Sequence, residues 1–390
     1  MKNIISLILT LLFISSYGNW TEVSTPTNEN LNKLEIINGT AFCVGNNGTL
    51  LKSVDEGDSW TEIFTSATGD INSILFLNQL TGFFTTSNGK VYKTTNGGID
   101  WSYSNLQSKG INGLDFKKNL TTGIAVGDNG SVFRTIDGGN NWSEINSSSV
   151  YRINGITFIN DSLAVCIGAL SSYGFSTNSG ESWTYTTLSN SSESFNSIAR
   201  LNDSTAVIVG TNGSFCQFSE SNLKIGMITK IDLEGDKLRD VEVTVKESSK
   251  VRVITVGYGS SINFDTYGWE TADLDSINDL NGIHFYNDSI GLICGLNGKI
   301  YKTKSVGATS ISSLPSLKTF EIYPNPTSNY IKIDNEFIGH DLTMYNMLGE
   351  IIFKKQIIST DFDISSLSSG NYFLQLTSKN SISKSRFIKK

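Results

Sequence analysis

Residues 122–142 read TGIAVGDNGSVFRTIDGGNNW. The phrase returns at 82–101 as GFFTTSNGKVYKTTNGGIDW, at 39–60 as GTAFCVGNNGTLLKSVDEGDSW, and at 163–183 as LAVCIGALSSYGFSTNSGESW. Its closing tryptophans, Trp60, Trp101, Trp142 and Trp183, stand 41 residues apart. A period of about 40–45 residues that holds several short strands is the signature of a β-propeller blade.

Each copy can be read physically. An alternating apolar run, such as Ile124 and Val126, predicts a strand. Asn46-Asn47-Gly48, Ser87-Asn88-Gly89 and Asp128-Asn129-Gly130 then supply the positive φ angles of a tight hairpin. A second strand leads into S/T-x-D/N-x-G-x-x-W. The carriers are Asp55, Gly57 and Trp60; Asn96, Gly98 and Trp101; Asp137, Gly139 and Trp142; and Asn178, Gly180 and Trp183. Asp or Asn there can hold its own turn through backbone N–H groups, glycine permits the bend, and tryptophan fills the wedge between blades. These residues resemble the Asp-box, or BNR, repeat and are expected to be structural. The wider phrase resembles the repeats of the photosystem II assembly and stability factor family, which implies seven blades. The role of that family is not carried over with the repeat.

Three further units are degenerate: 205–220, 251–269 with Trp269, and 290–307. Asn19-Trp20-Thr21-Glu22-Val23 is an orphan outer strand one period before Trp60. A closed ring accounts for both, with the N-terminal strand completing the last blade and removing an exposed edge. The fold class is therefore all-β: a seven-bladed β-propeller over 19–310, then a linker (311–319) and a small β-sandwich (320–390). Inner strands open on an apolar residue followed by Asn32, Asn72, Asn112, Asn154, Asn196 and Asn281, with Arg239 in blade six. These residues should ring one mouth of the channel, on the face that carries the Asn-Gly turns.

Composition narrows the classes. Of 390 residues, 17% are charged and the net charge is −7, which speaks against nucleic acid. Two histidines and no metal-spaced cysteine pair give no metal site, and no cofactor is expected. Cys43, Cys166, Cys216 and Cys294 fall in strands of different blades and read as small buried side chains. Residues 1–18 combine Lys2, a short apolar run and Ser16-Tyr17-Gly18, which reads as a secretory signal peptide, the alternative being a retained anchor. No transmembrane segment is expected after its cleavage.

The tail changes character at Ser-rich 308–318 and then carries short strands with Gly turns. Tyr323-Pro324-Asn325-Pro326, Tyr345-Asn346-Met347-Leu348-Gly349, Leu367-Ser368-Ser369-Gly370-Asn371-Tyr372 and the basic end from Lys384 to Lys390 resemble the C-terminal sorting domain of the type IX secretion system. The resemblance implies that type IX machinery is a partner. It also implies export across the outer membrane of a Gram-negative bacterium, with cargo released or joined to surface lipopolysaccharide. An ordinary β-sandwich binding module is the alternative.

The chemistry in the propeller is sparse. Asp-box propellers include sialidases, which need an arginine cluster, a Tyr–Glu pair and an acid. Arg152, Arg200 and Arg239 lie on or beside inner strands of adjacent blades, without the Arg-Ile-Pro context of that family. Glu35, Asp115, Glu242 and His284 share one inner-strand register, either as an acid–base set or as bonds between blades. The Asn ring divides in the same way between junction bonding and ligand contact. Blade four replaces the Asn-Gly turn with Ala169-Leu170-Ser171-Ser172-Tyr173-Gly174, read as a longer turn that sets Tyr173 on the ring face. Tyr151 and Tyr258 join it there, the alternative for Tyr173 being packing on its own loop. The function expected is a non-enzymatic binding scaffold for a glycan or protein ligand, secreted or on the cell surface. The alternatives are a sialidase-like surface glycoside hydrolase and a structural envelope or assembly factor.

Overall fold

The computed structural model describes residues 20–304 and 320–390, apart from 108, 189–192, 227, 231–236, 246–250, 259–260, 266–267, 273–278, 288–289, 321, 335–336, 347–350 and 379–380. The expected leader (1–18) and linker (311–319) lie outside the described residues. Two units separate at Thr309/Ser310.

Among the described residues of the first unit, seven antiparallel sheets each run from an inner strand outward. In blade three these strands are Ile111–Phe116, Gly123–Gly127, Val132–Thr135 and Ser143–Glu144. The second strands, such as Gly123–Gly127, are buried on both faces, because each blade is covered by a neighbour on either side. Blade five departs from the pattern: its third strand, Ser214–Ser219, pairs with two short outer pieces, Lys224–Ile225 and Thr229–Lys230.

The apolar cores lie between blades rather than within them. Seven clusters occupy the seven junctions; that of blades two and three joins Phe83 and Val91 to Ile111, Leu114, Phe116, Ala125 and Phe133, with Trp142 against them. Trp101 meets Phe76 edge-on at 6.1 Å, and Trp142 meets Phe116 at 6.0 Å.

Closure repeats this arrangement with residues from opposite ends of the chain. Thr21–Val23 pairs with Ile300–Thr303 in blade seven, Thr21 opposite Lys302 and Val23 opposite Ile300. Trp20 then meets Phe285 at 6.2 Å, the place that Trp101 and Trp142 hold in their blades. Cys43 and Cys294 are free thiols buried in the core of this seam.

The second unit has a two-stranded sheet, Tyr330–Lys332 with Asp361–Asp363, and a four-stranded sheet. The latter is ordered Ile351–Gln356, Asp341–Tyr345, Gly370–Ser378, Ser381–Lys389. Both contribute to one core that includes Ile331, Phe362, Leu342, Met344, Leu374 and Phe387. Alternation along Leu342, Met344, Leu374 and Leu376 gives the sheet its apolar face.

Trp20→Ala should therefore act like the loss of a core aromatic, not of an N-terminal residue. We expect a cost of about 2–4 kcal/mol in chemical denaturation. A change below about 0.5 kcal/mol, the range of an ordinary surface substitution, would show that the N-terminal strand does not close the ring.

Candidate functional site: the amide-lined channel mouth

The site begins with a backbone irregularity. In every blade the ladder between inner and second strands slips near the start of the inner strand: between Leu31 and Lys33, Ile71 and Ser73, Ile111 and Gly113, Ile153 and Gly155, Phe195 and Ser197, Leu238 and Asp240, and Leu280 and Gly282, with a second slip in blade five between Arg200 and Asn202. A β-bulge leaves its extra residue out of the ladder and re-aims its side chain. The skipped residues are Asn32, Asn72, Asn112, Asn154, Asn196, Arg239 and Asn281.

Each asparagine spends its amide nitrogen on the next blade. Nδ2 of Asn32 donates to the Ile71 carbonyl at 3.0 Å, that of Asn72 to Ile111 at 2.9 Å, and that of Asn112 to Ile153 at 2.9 Å. Asn154, Asn196 and Asn281 donate to Phe195, Leu238 and Leu31, each at 2.7 Å. The acceptor is the first residue of the neighbouring inner strand each time, next to that strand's own bulge. At the junction of blades six and seven, Arg239 instead donates from Nη1 to Asn281 Oδ1 at 2.6 Å and from Nη2 to Asp279 Oδ2 at 2.8 Å.

Deeper in the channel, carboxylates make the same kind of bridge. Glu35 accepts from Phe76 N at 2.7 Å, Asp115 from Phe158 N at 2.7 Å, and Asp240 from Ile283 N at 3.0 Å. Asp240, nearly buried, also holds Lys33 Nζ at 2.5 Å and the Ser197 hydroxyl at 2.7 Å. Glu242 stands apart, with His284 Nδ1 at 3.9 Å, too far for a hydrogen bond. Burial pushes Glu35 and Glu242 up to about 8 and Asp115 up to about 6, because the charged form is poorly solvated there. Burial, with Lys33 nearby, lowers His284 to about 4, so the imidazole is neutral. Burial works to lower Lys33, yet the Asp240 carboxylate holds it above its ordinary value.

Two connected spaces result. A cavity of about 330 Å³ is lined by the Asn ring and by Glu35, Asp115, Glu242 and His284 below it. Above it, about 550 Å³ opens at the mouth, lined by the ring apart from Asn281, together with Asn46, Asp70, Arg152, Thr211 and Lys237. Asn46 and Thr211 belong to turns between second and third strands, which puts those turns on the face of the ring, as the strand order requires.

The predicted tyrosines part company. Tyr151, 38% exposed, immediately precedes the mouth residue Arg152, and Tyr258, 53% exposed, follows the second strand of blade six, its N–H bonded to the Lys237 carbonyl. Tyr173 is not on this face: at 4% exposure it lies in the core between blades four and five, edge-on to Phe218. Blade four's turn is not longer than the others. The third strand starts at Ser172, and Ala169-Leu170-Ser171 matches Asn46-Asn47-Gly48, with Leu170 and Ser171 at φ 53° and 52°. Tyr173 is thus the second residue of a strand, and alternation turns it into the core. Leu170, 49% exposed, takes the turn-tip place expected for Tyr173.

The arginines do not converge. Arg152 pairs with Asp128 at 3.3 Å and with Asn112 Oδ1 at 3.0 Å, and Arg239 with Asp279. Arg200 turns to Asp203, in the hairpin at the other end of its strand. The Asp-boxes hold their own turns: Asp137 accepts from Asn141 N at 2.9 Å while Gly139 N donates to Thr135 Oγ1 at 2.9 Å, and Asn96 and Asn178 act likewise. Backbone and side-chain donors from Asn141 and the Thr135 hydroxyl keep Asp137 down at about 2.

Sequence reasoning missed the cations that link these boxes. Lys52 Nζ reaches the Gly97 carbonyl at 2.8 Å, Lys93 reaches Asn140 at 2.7 Å, Arg134 reaches the Ser179 carbonyl at 2.9 Å, and Lys302 reaches Asp58 at 2.9 Å. Each stands one residue before the Ser or Thr that opens its own box or, in blade seven, the equivalent Thr303. Each reaches the box of the following blade. The corresponding residue of blade four is Phe175, and blade five has no box; Phe175 packs on Phe218 instead.

Asn154→Ala should leave the Phe195 carbonyl without its partner and cost about 1–2 kcal/mol, read by chemical denaturation. Glu35→Gln keeps an acceptor for Phe76 N but removes the titration. Because Glu35 is raised from 4.5 to about 8 in the folded state, its contribution is full below the unfolded value and is lost as pH rises toward 8. The variant should gain on wild type by several °C or more in Tm between pH 5 and 8.5. Parallel pH profiles would place the Glu35 carboxyl in ordinary solvent.

Among the described residues, no helix is long and apolar enough to cross a membrane, and no group of His, Cys, Asp and Glu is arranged to hold a metal ion. Residues 18–112 match the family described as photosynthesis system II assembly factor YCF48, and residues 321–390 match the secretion system C-terminal sorting domain. Comparison with curated proteins finds no match. A solved YCF48 bound to D1 peptide is 18% identical, covers 74% of this chain and 96% of its own, and superposes with a TM-score of 0.60. YCF48 from Cyanidioschyzon merolae is 17% identical over 73% of this chain and 98% of its own, with a TM-score of 0.57. An ancestral GH74 enzyme is 13% identical over 94% of this chain and 63% of its own, with a TM-score of 0.60. At these identities the structures speak for the fold alone. The chain is a β-propeller with YCF48-like repeats and a type IX sorting tail, exported to the surface or surroundings of a Gram-negative bacterium.

Proposed function

We propose that the exported propeller is a recognition scaffold that holds an extended peptide segment of a partner protein at the amide-lined mouth and catalyses no reaction. The observation that carries this reading is the mouth itself. Its space of about 550 Å³ is lined by polar side chains from six blades, already ordered by their bonds to one another. Pre-ordered donors and acceptors suit a backbone with regularly spaced amides, since little side-chain entropy remains to be lost on binding. Exposed Tyr151 and Tyr258 near this face offer amphipathic contact area. That a solved YCF48 carries a bound peptide supports a peptide as ligand class.

The likeness to a GH74 enzyme keeps a glycosidase in view. Glycoside hydrolysis needs two free carboxyl groups flanking one bond. Glu35 and Asp115 each accept a backbone N–H from the next blade, which argues for a supporting role.

The full exported chain should be screened on peptide and glycan arrays, and any ligand re-measured with Tyr151→Ala/Tyr258→Ala. A peptide that loses about ten-fold or more in affinity would support the reading. A glycan ligand with the same sensitivity would replace the ligand class. Turnover of a glycan would replace the function, and silence on both arrays would favour a structural envelope role.

A further inference from the structure

The ring has a second set of atoms. Since Nδ2 of Asn32, Asn72, Asn154 and Asn196 is committed to the neighbouring blade, each Oδ1 is turned away from the junction. Each of these residues lines both the mouth and the channel beneath it. Those four oxygens accept no hydrogen bond from the described residues, whereas Oδ1 of Asn112 and Asn281 already accept from Arg152 and Arg239. The entrance therefore presents acceptors whose donors must come from outside.

The channel below holds carboxyl groups that can supply the charge to match. Lys33 neutralises Asp240, Asp115 accepts from Phe158 N and Phe116 N, and His284 is neutral. Glu35 has one carboxylate oxygen on Phe76 N, and Glu242 has no hydrogen bond from a described residue. On the rim, Arg152 and Arg239 are paired with Asp128 and Asp279, which leaves Lys237 as the opposing charge.

We infer that the channel takes up one cationic side chain, a lysine ammonium or arginine guanidinium projecting from the bound peptide. The ring oxygens act as first acceptors, with Glu35 and Glu242 as counter-charge. This rests on the peptide reading above and names its anchor. A primary ammonium brings three donors and a guanidinium five, which suits the unbonded amide oxygens of Asn32, Asn72, Asn154 and Asn196, since these can only accept. Burial raises both glutamates to about 8, and an arriving cation beside them favours the ionised form. Binding then releases protons and tightens as pH rises from 6 toward 8.

The test is titration calorimetry of the full exported chain with blocked Ser-Gly-X-Gly-Ser peptides, where X is lysine, arginine, acetyl-lysine, norleucine or glutamate. The lysine and arginine peptides should bind about ten-fold or more tighter than the acetyl-lysine and norleucine peptides. Two buffers of different ionisation enthalpy should report proton release. Glu35→Gln/Glu242→Gln, checked for an unchanged fold by its melting curve, should abolish both the preference and the pH dependence. If norleucine binds as tightly as lysine, or the double variant binds lysine like wild type, the inference is wrong. Peptides that bind regardless of X yet are lost with Tyr151→Ala would spare the peptide reading while sinking the anchor. Failure of all five at about 1 mM would sink the anchor too, and silence of a peptide array alongside would sink both.

Discussion

The amide bridge from one inner strand to the next is the constraint on which the propeller depends. A bulge at each inner strand takes one residue out of the ladder, and asparagine fits the place: its side chain is short enough to stay at the junction and can donate across it. The neighbouring blade offers a carbonyl at its own bulge, so the same irregularity creates both donor position and acceptor. Six of seven junctions use this bond, and Arg239 spans the seventh with a longer reach. The apolar cores between blades supply burial, which is non-directional. The bridges supply the register in which one blade meets the next.

A second tie runs around the outside. Lys52, Lys93, Arg134 and Lys302 each secure the Asp-box of the following blade, so a box is braced by its predecessor as well as by its own Asp or Asn. Where the box is absent the cation is absent as well, and Phe175 fills the space with apolar contact. The degenerate blades are thus different solutions at the same junctions. Blade seven has lost its own box yet keeps Lys302, because its neighbour around the ring is blade one, whose box is intact. A residue near position 300 and one near position 58 make sense only once the ring is closed.

These ties also determine what is left for function. Glu35 and Asp115, two members of the candidate acid–base set, are drawn into bridges, and Arg152, Arg200 and Arg239 are matched to nearby acids. The mouth keeps a set of amide oxygens with nothing to accept, above two glutamates that burial keeps protonated near neutral pH. A scaffold whose polar groups are already fixed can select a ligand by donor geometry at little cost in ordering. Its export tail fits a role outside the cell, where partners are reached by binding alone.

Local sequence was enough for much of this. The 41-residue spacing of Trp60, Trp101, Trp142 and Trp183 fixes the repeat, and the Ile-Asn pairs mark each inner strand, because both features arise within a single blade. The orphan Trp20 strand implies closure, since an unpaired edge must be covered. Tyr173 is misplaced by its local sequence because a turn of Ala-Leu-Ser looks unlike Asn-Asn-Gly, although the backbone geometry is the same. Alternation then reverses which way every following side chain points. Only the tertiary structure decided that the asparagines bridge blades, that Lys33 meets Asp240 across 207 residues, and that Glu242 is left without such a bond. Those partners are distant in the chain and meet only when the ring closes. The sequence alone determined the repeat, the strands and the sorting tail; the closed ring determined which polar groups are used up and which face outward.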